Sequence, residues 1–516
     1  MRTENRVVVI GSGFGGLAAA IRLQARGYRV TLVEQRDKPG GRAYVYNDHG
    51  FVFDGGPTVV TAPFLFEELF ALAGRRMEDY LTLVPVTPYY RIRFHDGRIF
   101  DYTGNSEQMT EEVRKFSPQD VDGYRRFVSE SERIFRVGFE QLGDLPFGRL
   151  TDMLKIVPAM VKLRSYLTVY QMVKRYIKSP DLRTVLSFHP LLVGGNPYQT
   201  TSIYALILYL ERKWGVWFAK GGTGAIVQAL VRLFEELGGE LRLSAPVDEI
   251  LVEPSGLSHR TRGVRLRGGE ELLADRVISN AEVGFTYRYL VPEEARRKYT
   301  NEKIEGMRYS MGLFVAYFGT NKKFNDCAHH TILLGPRYEG LLDDIFTHKR
   351  LADDFSLYLH RPTATDTTLA PEGSDAFYVL SPVPHLGAQP AIDWSREGAR
   401  YRDRIYQYLD DTLLPGMRSS LVTTRHLTPD NFRGELSSLY GSGFSIEPVL
   451  TQSAYFRPHN KSEDVDGLYF VGGGTHPGAG MPGVLSTAKV VDRLIPRLPG
   501  APLGAEIAGS HAYVYG

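Results

Sequence analysis

The sequence predicts an α/β protein with three kinds of structure: a parallel sheet wound with helices, a helical part and a second sheet. Residues 7–33 read as strand, glycine turn, helix and returning strand, which together form a right-handed βαβ unit. Residues 117–210 have a largely helical pattern with few turn signals. Between about residues 307 and 384, short runs of β-branched and aromatic residues predict an antiparallel sheet.

The first βαβ unit follows from three local patterns. Residues 7–10 are apolar and run into glycine, which is typical of a buried parallel strand. Residues 17–26 carry apolar side chains at helical spacing, and Gly27 predicts the end of that helix. Residues 30–33 form the second buried strand. In the later part of the chain, residues 313–317 and 377–380 are the clearest strand candidates.

Composition and charge exclude several classes of protein. Hydrophobic residues make up 43% and charged residues 23%, an ordinary globular balance, and the formal charge of +2 argues against nucleic acid as a partner. A single cysteine, Cys327, rules out an internal disulfide and fits a reducing cytosolic compartment, where it is interpreted as a small buried side chain. The longest uncharged stretch, residues 184–210, is interrupted by glycine, asparagine and proline, so no spanning helix is predicted.

A glycine fingerprint lies between the first strand and the first helix. Gly11 permits the tight turn, Gly13 lets the backbone approach a pyrophosphate, and Gly16 allows close packing of helix on strand. The helix N-terminus offers unpaired N–H groups to phosphate. Glu34 ends the second strand at the spacing at which a carboxylate binds an adenosine ribose. The unit therefore predicts a dinucleotide site.

Two further glycine turns favour FAD over NAD at this site. The second turn contains Gly41 and Arg42, which would face the pyrophosphate. Near the other end of the chain, a buried strand runs into Gly472, Gly473 and Gly474, whose backbone N–H groups would face flavin or phosphate. Since no second G-x-G-x-x-G stands between a strand and a helix, a separate nicotinamide domain is not predicted.

Several motifs together resemble the bacterial phytoene desaturases of the carotenoid pathway. The similarity runs from about residue 5 to residue 495. The Thr475–Gly483 stretch is the most specific part, and differences such as Met481 are conservative. The segments that carry it are residues 11–42, 40–46, 192–197, 214–217, 221–224, 447–452, 457–460 and 474–483.

The resemblance implies a Rossmann-type FAD-binding domain of the flavin amine-oxidase/GDI-like superfamily, a mixed-sheet substrate domain and a helical, membrane-facing cap. The implied boundaries are 1–90, 215–285 and 450–498 for the FAD domain; 91–115 and 286–449 for the substrate domain; 116–214 for the cap; and 499–516 for a flexible tail.

The resemblance also implies an activity and partners. The expected reaction is FAD-dependent desaturation of phytoene and partly desaturated carotenoids, stepwise toward neurosporene or lycopene, with a quinone or dioxygen as electron acceptor. Peripheral association with the inner face of the cell membrane is expected in the cytoplasm. Residues 152–183 support this interpretation because basic and apolar side chains alternate there as in interfacial helices, although a solvated basic face would show the same pattern.

The family resemblance also implies roles for individual residues. Val247 is expected where backbone contacts the adenine, and Gly473, Gly474 and Met481 beside the flavin. His476 is a candidate for proton handling, with a structural histidine bonded to backbone as the alternative. Asp152, which matches an acidic position of the family, is a second candidate, with a solvated aspartate at a helix start as the alternative.

Three alternatives remain at this stage. One is another flavin enzyme of the same fold, either a redox-neutral carotenoid isomerase or an amine oxidase, and another is a different carotenoid desaturase. The third is a non-catalytic module that binds a lipid chain. A metal site at His329 and His330 is rejected because no partner lies at ligand spacing.

Overall fold

The computed structural model of the chain describes residues 5–256 and 258–498, and the predicted tail at residues 499–516 lies outside the described residues. The strands are β1 (Arg6–Ile10), β2 (Arg29–Val33), β3 (Val45–Asp48), β4 (Phe51–Asp54), β5 (Leu83–Pro85), β6 (Tyr90–Arg93), β7 (Ile99–Tyr102), β8 (Trp217–Ala219), β9 (Glu240–Arg242), β10 (Val247–Ser255), β11 (Ser258–Leu266), β12 (Glu271–Leu273), β13 (Arg276–Ser279), β14 (Gly312–Thr320), β15 (His330–Leu333), β16 (Leu357–His360), β17 (Asp375–Val383), β18 (Leu421–Leu427), β19 (Val465–Asp466) and β20 (Leu468–Phe470).

The helices are joined by short 3-10 and π-helical turns. They are α1 (Phe14–Ala25), α2 (Phe64–Leu72), α3 (Ser106–Phe116), α4 (Val121–Phe135), α5 (Leu150–Lys162), α6 (Val169–Lys174), α7 (Pro180–Ser187), α8 (Leu206–Trp214), α9 (Thr223–Glu236), α10 (Val283–Phe285), α11 (Asn301–Glu305), α12 (Tyr338–Asp343), α13 (Trp394–Thr412), α14 (Pro429–Leu436) and α15 (Met481–Leu494).

A five-stranded parallel sheet, in the order β20-β13-β1-β2-β9, contains the predicted βαβ unit. The predicted strands and helix are present, although α1 begins at Phe14, three residues earlier than the apolar pattern indicated. Gly27 follows the helix with a φ of +85°, as expected for a residue just beyond a helix C-terminus. Helices α1, α9 and α15 bury their apolar faces together with this sheet in one core, since parallel strands must be covered on both faces.

The second large sheet has seven strands, in the order β18-β14-β17-β16-β15-β6-β7. The predicted strand segments fall inside β14 and β17, which pair antiparallel over nine residues. The sheet is mixed because β6 joins it from early in the chain and pairs parallel with β15. The predicted antiparallel region therefore covers the centre of this sheet and omits β6, β7 and β18, which lie outside the residues that suggested it.

Helices α3, α4, α6, α7 and α8 pack against the seven-stranded sheet, and helices occupy most of residues 117–210, as the sequence pattern indicated. Their buried side chains and those of the sheet share one apolar core. A smaller antiparallel sheet of β10, β11 and β12 adjoins the parallel sheet and pairs with β19. Among the described residues, no helix is both long and apolar enough to cross a bilayer.

Asp54 at the end of β4 connects two parts of the fold. Its carboxylate accepts the backbone N–H groups of Thr223 (2.9 Å) and Gly224 (3.2 Å) at the start of α9. A Cβ at Gly222 would lie 2.6 Å from the same carboxylate, so glycine is required in this turn. Burial raises the pKa of Asp54 to about 6. The unfavourable desolvation therefore exceeds the stabilisation from the two N–H groups.

We expect Asp54→Asn to remove part of the pH dependence of stability. Because the folded pKa lies above the unfolded value of 3.8, the native state binds the extra proton between these pH values, and this group's contribution is lost as pH rises through 6. Relative to Asp54→Asn, the wild type should lose about 2 kcal/mol of unfolding free energy between about pH 4 and pH 7. Urea unfolding at both pH values measures this difference. The exposed Asp122→Asn is the control, and parallel curves for wild type and Asp54→Asn would contradict the assignment.

Candidate active site

The glycine turn after β1 is closed too tightly for side chains. Gly11 has a φ of +89°, and a Cβ at Gly16 would lie 2.0 Å from the carbonyl oxygen of Gly11. Gly13 precedes α1, which has no side-chain cap, so the first N–H groups of the helix are available to a ligand. Gly11 and Gly13 line a large cavity together with Phe14, whereas Gly16 serves packing, as its predicted role requires.

Asn280, which follows β13, completes this turn and was missed by the sequence interpretation. Its side-chain amide donates to the carbonyl of Gly11 (3.3 Å). A Cβ at Gly13 or Gly15 would lie 2.9 or 2.7 Å from that side chain. The signal for Asn280 was its place directly after a buried strand, because the carboxyl ends of adjacent parallel strands meet at one edge of the sheet.

Glu34 lies at the end of β2, with 4% of its surface exposed. Oε2 accepts from the backbone N–H (2.9 Å) and hydroxyl (2.6 Å) of Ser12, and Oε1 accepts from the N–H of Arg36 (3.0 Å). A carboxylate has lone pairs beyond these three bonds, so Glu34 retains acceptor capacity toward the cavity that it lines. Val247, the first residue of β10, lines the same cavity.

Arg42 faces the cavity next to Gly41 and also fastens a distant loop. Its guanidinium donates to the carbonyl of Gly443 (2.9 Å) and the hydroxyl of Ser438 (2.8 Å). Burial lowers the pKa of Arg42, and the nearby Glu282 opposes that shift. The arginine thus brings a positive charge to the wall where the sequence places a pyrophosphate.

The loop after β20 forms an adjoining wall of the cavity, since a Cβ at Gly15 would lie 3.0 Å from the backbone nitrogen of Gly472. Gly473 and Met481 line the cavity, whereas Gly474 is a packing position, since a Cβ there would lie 2.7 Å from Val283 Cγ1. Arg457, buried to 2% exposure, donates to the carbonyls of Gly473 (2.6 Å) and Thr475 (3.1 Å). Arg457 therefore orders the turn that follows β20.

His476 lines the cavity in the same loop, but its ring is held by backbone. Nε2 lies 3.0 Å from the carbonyl of Leu142, and the ring packs edge-on against Phe147. Burial lowers the pKa of His476 to about 4, so the imidazole is neutral at pH 7 and donates from Nε2. This geometry favours the structural alternative over proton handling.

Asp152 is not among the residues that line the cavity. Its carboxylate accepts the backbone N–H of Arg149 (3.1 Å) at the start of α5, where an acidic residue also interacts favourably with the helix dipole. The structure therefore supports the helix-start alternative, and the geometry offers no support for a chemical role.

Away from the glycine turns, the cavity is walled mainly by apolar side chains from the helical part and from the seven-stranded sheet. Its volume is about 550 Å³. Representative lining residues are Leu192, Leu206 and Ile207 from the helical part and Leu313, Val315 and Ile332 from the sheet. The glycine turns with Glu34 and Arg42, here called the dinucleotide cradle, and the apolar part of the cavity, here called the chamber, form one continuous cavity.

The structure corrects the reason for rejecting a metal near His329 and His330. Pairing of β15 with β16 brings His360 to them, and one nitrogen of each ring lies within 4.8 Å of the others, so the cluster could hold a metal ion. Burial lowers the pKa of all three imidazoles, which keeps them neutral. The positive charge of Arg361 also lowers the pKa of His329, and the same charge would oppose a bound cation.

We expect Glu34→Ala to weaken FAD binding about 10- to 100-fold, since a charge-assisted hydrogen bond contributes roughly 1.5–3 kcal/mol. Titration of the apoprotein with FAD measures the Kd. Glu240→Ala, in the neighbouring strand β9 of the same sheet, is the matched control and should retain wild-type affinity. Equal FAD affinity for wild type and Glu34→Ala would remove Glu34 from the cofactor site.

Comparisons with known proteins agree with this geometry. A family model described as flavin containing amine oxidoreductase matches residues 14–491. A phytoene desaturase (lycopene-forming) from Pseudescherichia vulneris is 52% identical over 490 residues, which are 95% of this chain and 99% of that protein. A phytoene desaturase (neurosporene-forming) from Rhodobacter capsulatus is 46% identical and covers 96% of this chain and 94% of that protein.

Among solved structures, an oxidoreductase from Methanosarcina mazei has a TM-score of 0.63 at 17% sequence identity, with coverage of 95% of this chain and 100% of that chain. At this identity the likeness concerns the fold alone. The predicted fold class is confirmed by this likeness and by the family match, and the resemblance stated from the motifs is confirmed by the relatives.

Proposed function

The chain belongs to the family of flavin-containing amine oxidoreductases, and from this we infer that it is an FAD-dependent phytoene desaturase that works stepwise toward lycopene or neurosporene. The observation that carries the proposal is the continuity of a dinucleotide cradle with a chamber walled by apolar side chains. Phytoene is a hydrocarbon without a polar group, so its site must be a long apolar chamber.

The cradle fits FAD by its own geometry. The turn at Gly11 and Gly16 excludes side chains, and the uncapped start of α1 leaves N–H groups for phosphate. Glu34 would bind the ribose, Arg42 the pyrophosphate, and the backbone at Val247 the adenine. When bound, FAD accepts the two electrons that leave the substrate, and the protein supplies position and electrostatics.

The chamber argues against amine oxidation. An amine substrate would need several polar groups around its nitrogen, whereas the chamber beyond the cradle is walled mainly by apolar side chains, with Glu211 as the one carboxylate that α8 contributes. The intact cradle argues against a module that binds lipid without catalysis. For the electron acceptor we propose a quinone or dioxygen, because the sequence offers no second dinucleotide fingerprint for a nicotinamide.

Narrowing the chamber should block the substrate and spare the cofactor. We expect Ile207→Trp, which enlarges a lining side chain of α8, to reduce phytoene desaturation at least about 10-fold because the hydrocarbon can no longer occupy its path. FAD occupancy should stay unchanged. Product absorbance and the flavin-to-protein ratio measure the two quantities.

Tyr209→Trp is the matched control, because Tyr209 lies two residues away on the same helix and is not a lining residue. Undiminished desaturation by Ile207→Trp, with the control also active, would show that the chamber is not the substrate path.

We further propose that the chain binds the membrane surface through the region around α5. Leu150, Leu154, Val157, Val161 and Tyr166 are exposed between 39% and 62% in this short segment. Exposed apolar side chains of this density, in a segment that also carries lysines, are typical of interfacial helices. The basic residues exposed in the same region include Lys155, Lys162, Lys174 and Arg175.

Replacing apolar side chains and reversing charges should both release the protein from anionic liposomes. The double variant Leu154→Ser, Val161→Ser would remove apolar contacts with the bilayer. The double variant Lys155→Glu, Lys162→Glu would remove electrostatic attraction to anionic lipids worth about 1 kcal/mol per charge. Co-sedimentation should therefore show at least about 10-fold weaker binding for each pair. The control is Leu273→Ser with Val422→Ser, two exposed positions on strands outside the helical part. Equal binding by all variants would refute the interfacial helix.

A further inference from the structure

Glu211 is a buried carboxylate in the apolar part of the chamber. It lies on α8, is 1% exposed, and lines the cavity. Two other lining residues among those described, Glu34 and Glu435, also have carboxylates, but they lie at the dinucleotide end, where Glu435 pairs with Arg36 at 3.0 Å. Glu211 is thus the carboxylate that the structure offers to the hydrocarbon end of the cavity.

The two oxygens of Glu211 have different surroundings. Oε1 accepts a 2.6 Å hydrogen bond from the hydroxyl of Tyr90 on β6. Oε2 lies 3.3 Å from Nε2 of His189, yet both atoms are buried and lack a hydrogen-bond partner among the described residues. A buried polar atom without a partner costs about 1–3 kcal/mol, so its presence in an otherwise apolar wall calls for an explanation.

The neighbours of Glu211 orient its carboxylate. Burial and the proximity of Glu211 raise the pKa of Tyr90 well above its usual range, so Tyr90 remains a donor and fixes the carboxylate in place. The ring of Tyr90 contacts Phe188 (5.4 Å between centroids), and Phe188 is itself a lining residue. Among the described residues, no lysine or arginine pairs with Oε2, whereas the carboxylate of Glu435 bonds Arg36.

We propose that the carboxylate of Glu211 is the proton acceptor of the desaturation, an assignment that rests on the proposed function. FAD held by Glu34, Arg42 and the glycine turns would accept the hydrogen of one substrate C–H bond together with its electron pair, that is, as hydride. The C–H bond of the neighbouring carbon then breaks, its proton goes to Glu211, and its electron pair becomes the new C=C bond. His189 Nε2, at 3.3 Å, is the next base that can take the proton before another turnover.

The alternatives named from the sequence fit this role less well. Asp152 caps α5 through the N–H of Arg149 and lies off the cavity wall. His476 is committed through Nε2 to the carbonyl of Leu142. Glu211 combines a place on the chamber wall, a carboxylate oriented by Tyr90 and an oxygen that accepts no hydrogen bond, which are features expected of a general base.

The experiment compares FAD-loaded wild type and Glu211→Gln, anaerobically mixed with phytoene in liposomes. Glutamine keeps the volume and the acceptor for Tyr90, so the fold and FAD occupancy should be preserved. We expect product formation in a single turnover to fall about 100-fold or more, the size typical of a lost general base. Glu211→Asp should restore part of the rate.

The control variant is Glu130→Gln, which alters another buried carboxylate of the helical part, one paired with Arg133 at 2.8 Å and absent from the cavity wall. It should form product at the wild-type rate. Wild-type product formation by Glu211→Gln would overturn the assignment to Glu211 while leaving the desaturase intact. A wild type that forms no product from phytoene would overturn the proposed function and this assignment together.

Infrared difference spectroscopy supplies a readout apart from turnover. With glutamate labelled by carbon-13, a protonated carboxyl band should appear when phytoene reacts in the wild type and shift with the label. The same band should be missing in Glu211→Gln. A purely structural glutamate would show no change in protonation, so an unchanged carboxyl region in the wild type would also overturn the proposal.

Discussion

Crowding at the carboxyl edge of the parallel sheet is the constraint on which the rest of the site depends. The side chain of Asn280 fills the space between the glycine turn after β1 and the backbone at Gly472. A Cβ at Gly15 would lie 2.7 Å from Asn280 Oδ1 and 3.0 Å from the nitrogen of Gly472, so a side chain there would clash with both. This contact brings the ends of β1, β13 and β20 together and aims the uncapped start of α1 at the cavity. Because the three strands come from distant parts of the chain, the cradle forms only when the whole domain is assembled. Cofactor binding and folding are therefore coupled.

From that edge, buried polar groups hold the remaining walls. Arg42 reaches the loop at Gly443, and Arg457 holds the loop at Gly473, in both cases through backbone carbonyls. Such bonds satisfy irregular backbone in a place where water is excluded, which fixes loops that carry few apolar contacts. The consequence is one cavity with two chemical characters: it is charged and glycine-rich at the cradle and mainly apolar beyond it. A polar cofactor can thus meet a substrate that contains no polar group.

The sequence predicts those parts of the site whose residues lie close together in the chain, and it does not predict contacts between residues far apart in the chain. Gly11, Gly13, Gly16 and Glu34 lie within one βαβ unit, so their spacing alone predicted the cradle. Asn280 contacts Gly11 across 269 positions, and Glu211 contacts Tyr90 across 121, and no local pattern encodes such pairs. The same limit applies to the histidine cluster, which is created by strand pairing. Asp152 was chosen because it matches an acidic position of the family, but its carboxylate accepts a hydrogen bond at the start of its own helix. The sequence analysis had named this helix-start role as the alternative.

Helix α5 unites the two surfaces that the proposed function needs. Leu154, Val157 and Val161 face outward, whereas Ile156 and Met160, on the intervening helical positions, line the cavity. Helix α5 therefore has apolar side chains on its outer side as well as on the side that faces the cavity, which is unfavourable when the outer side is exposed to water. The cost is removed if the outer face lies in the hydrocarbon boundary of a bilayer. In that position, only the thickness of α5 would separate the bilayer from the chamber. A hydrocarbon dissolved in the membrane could then reach the flavin without crossing water.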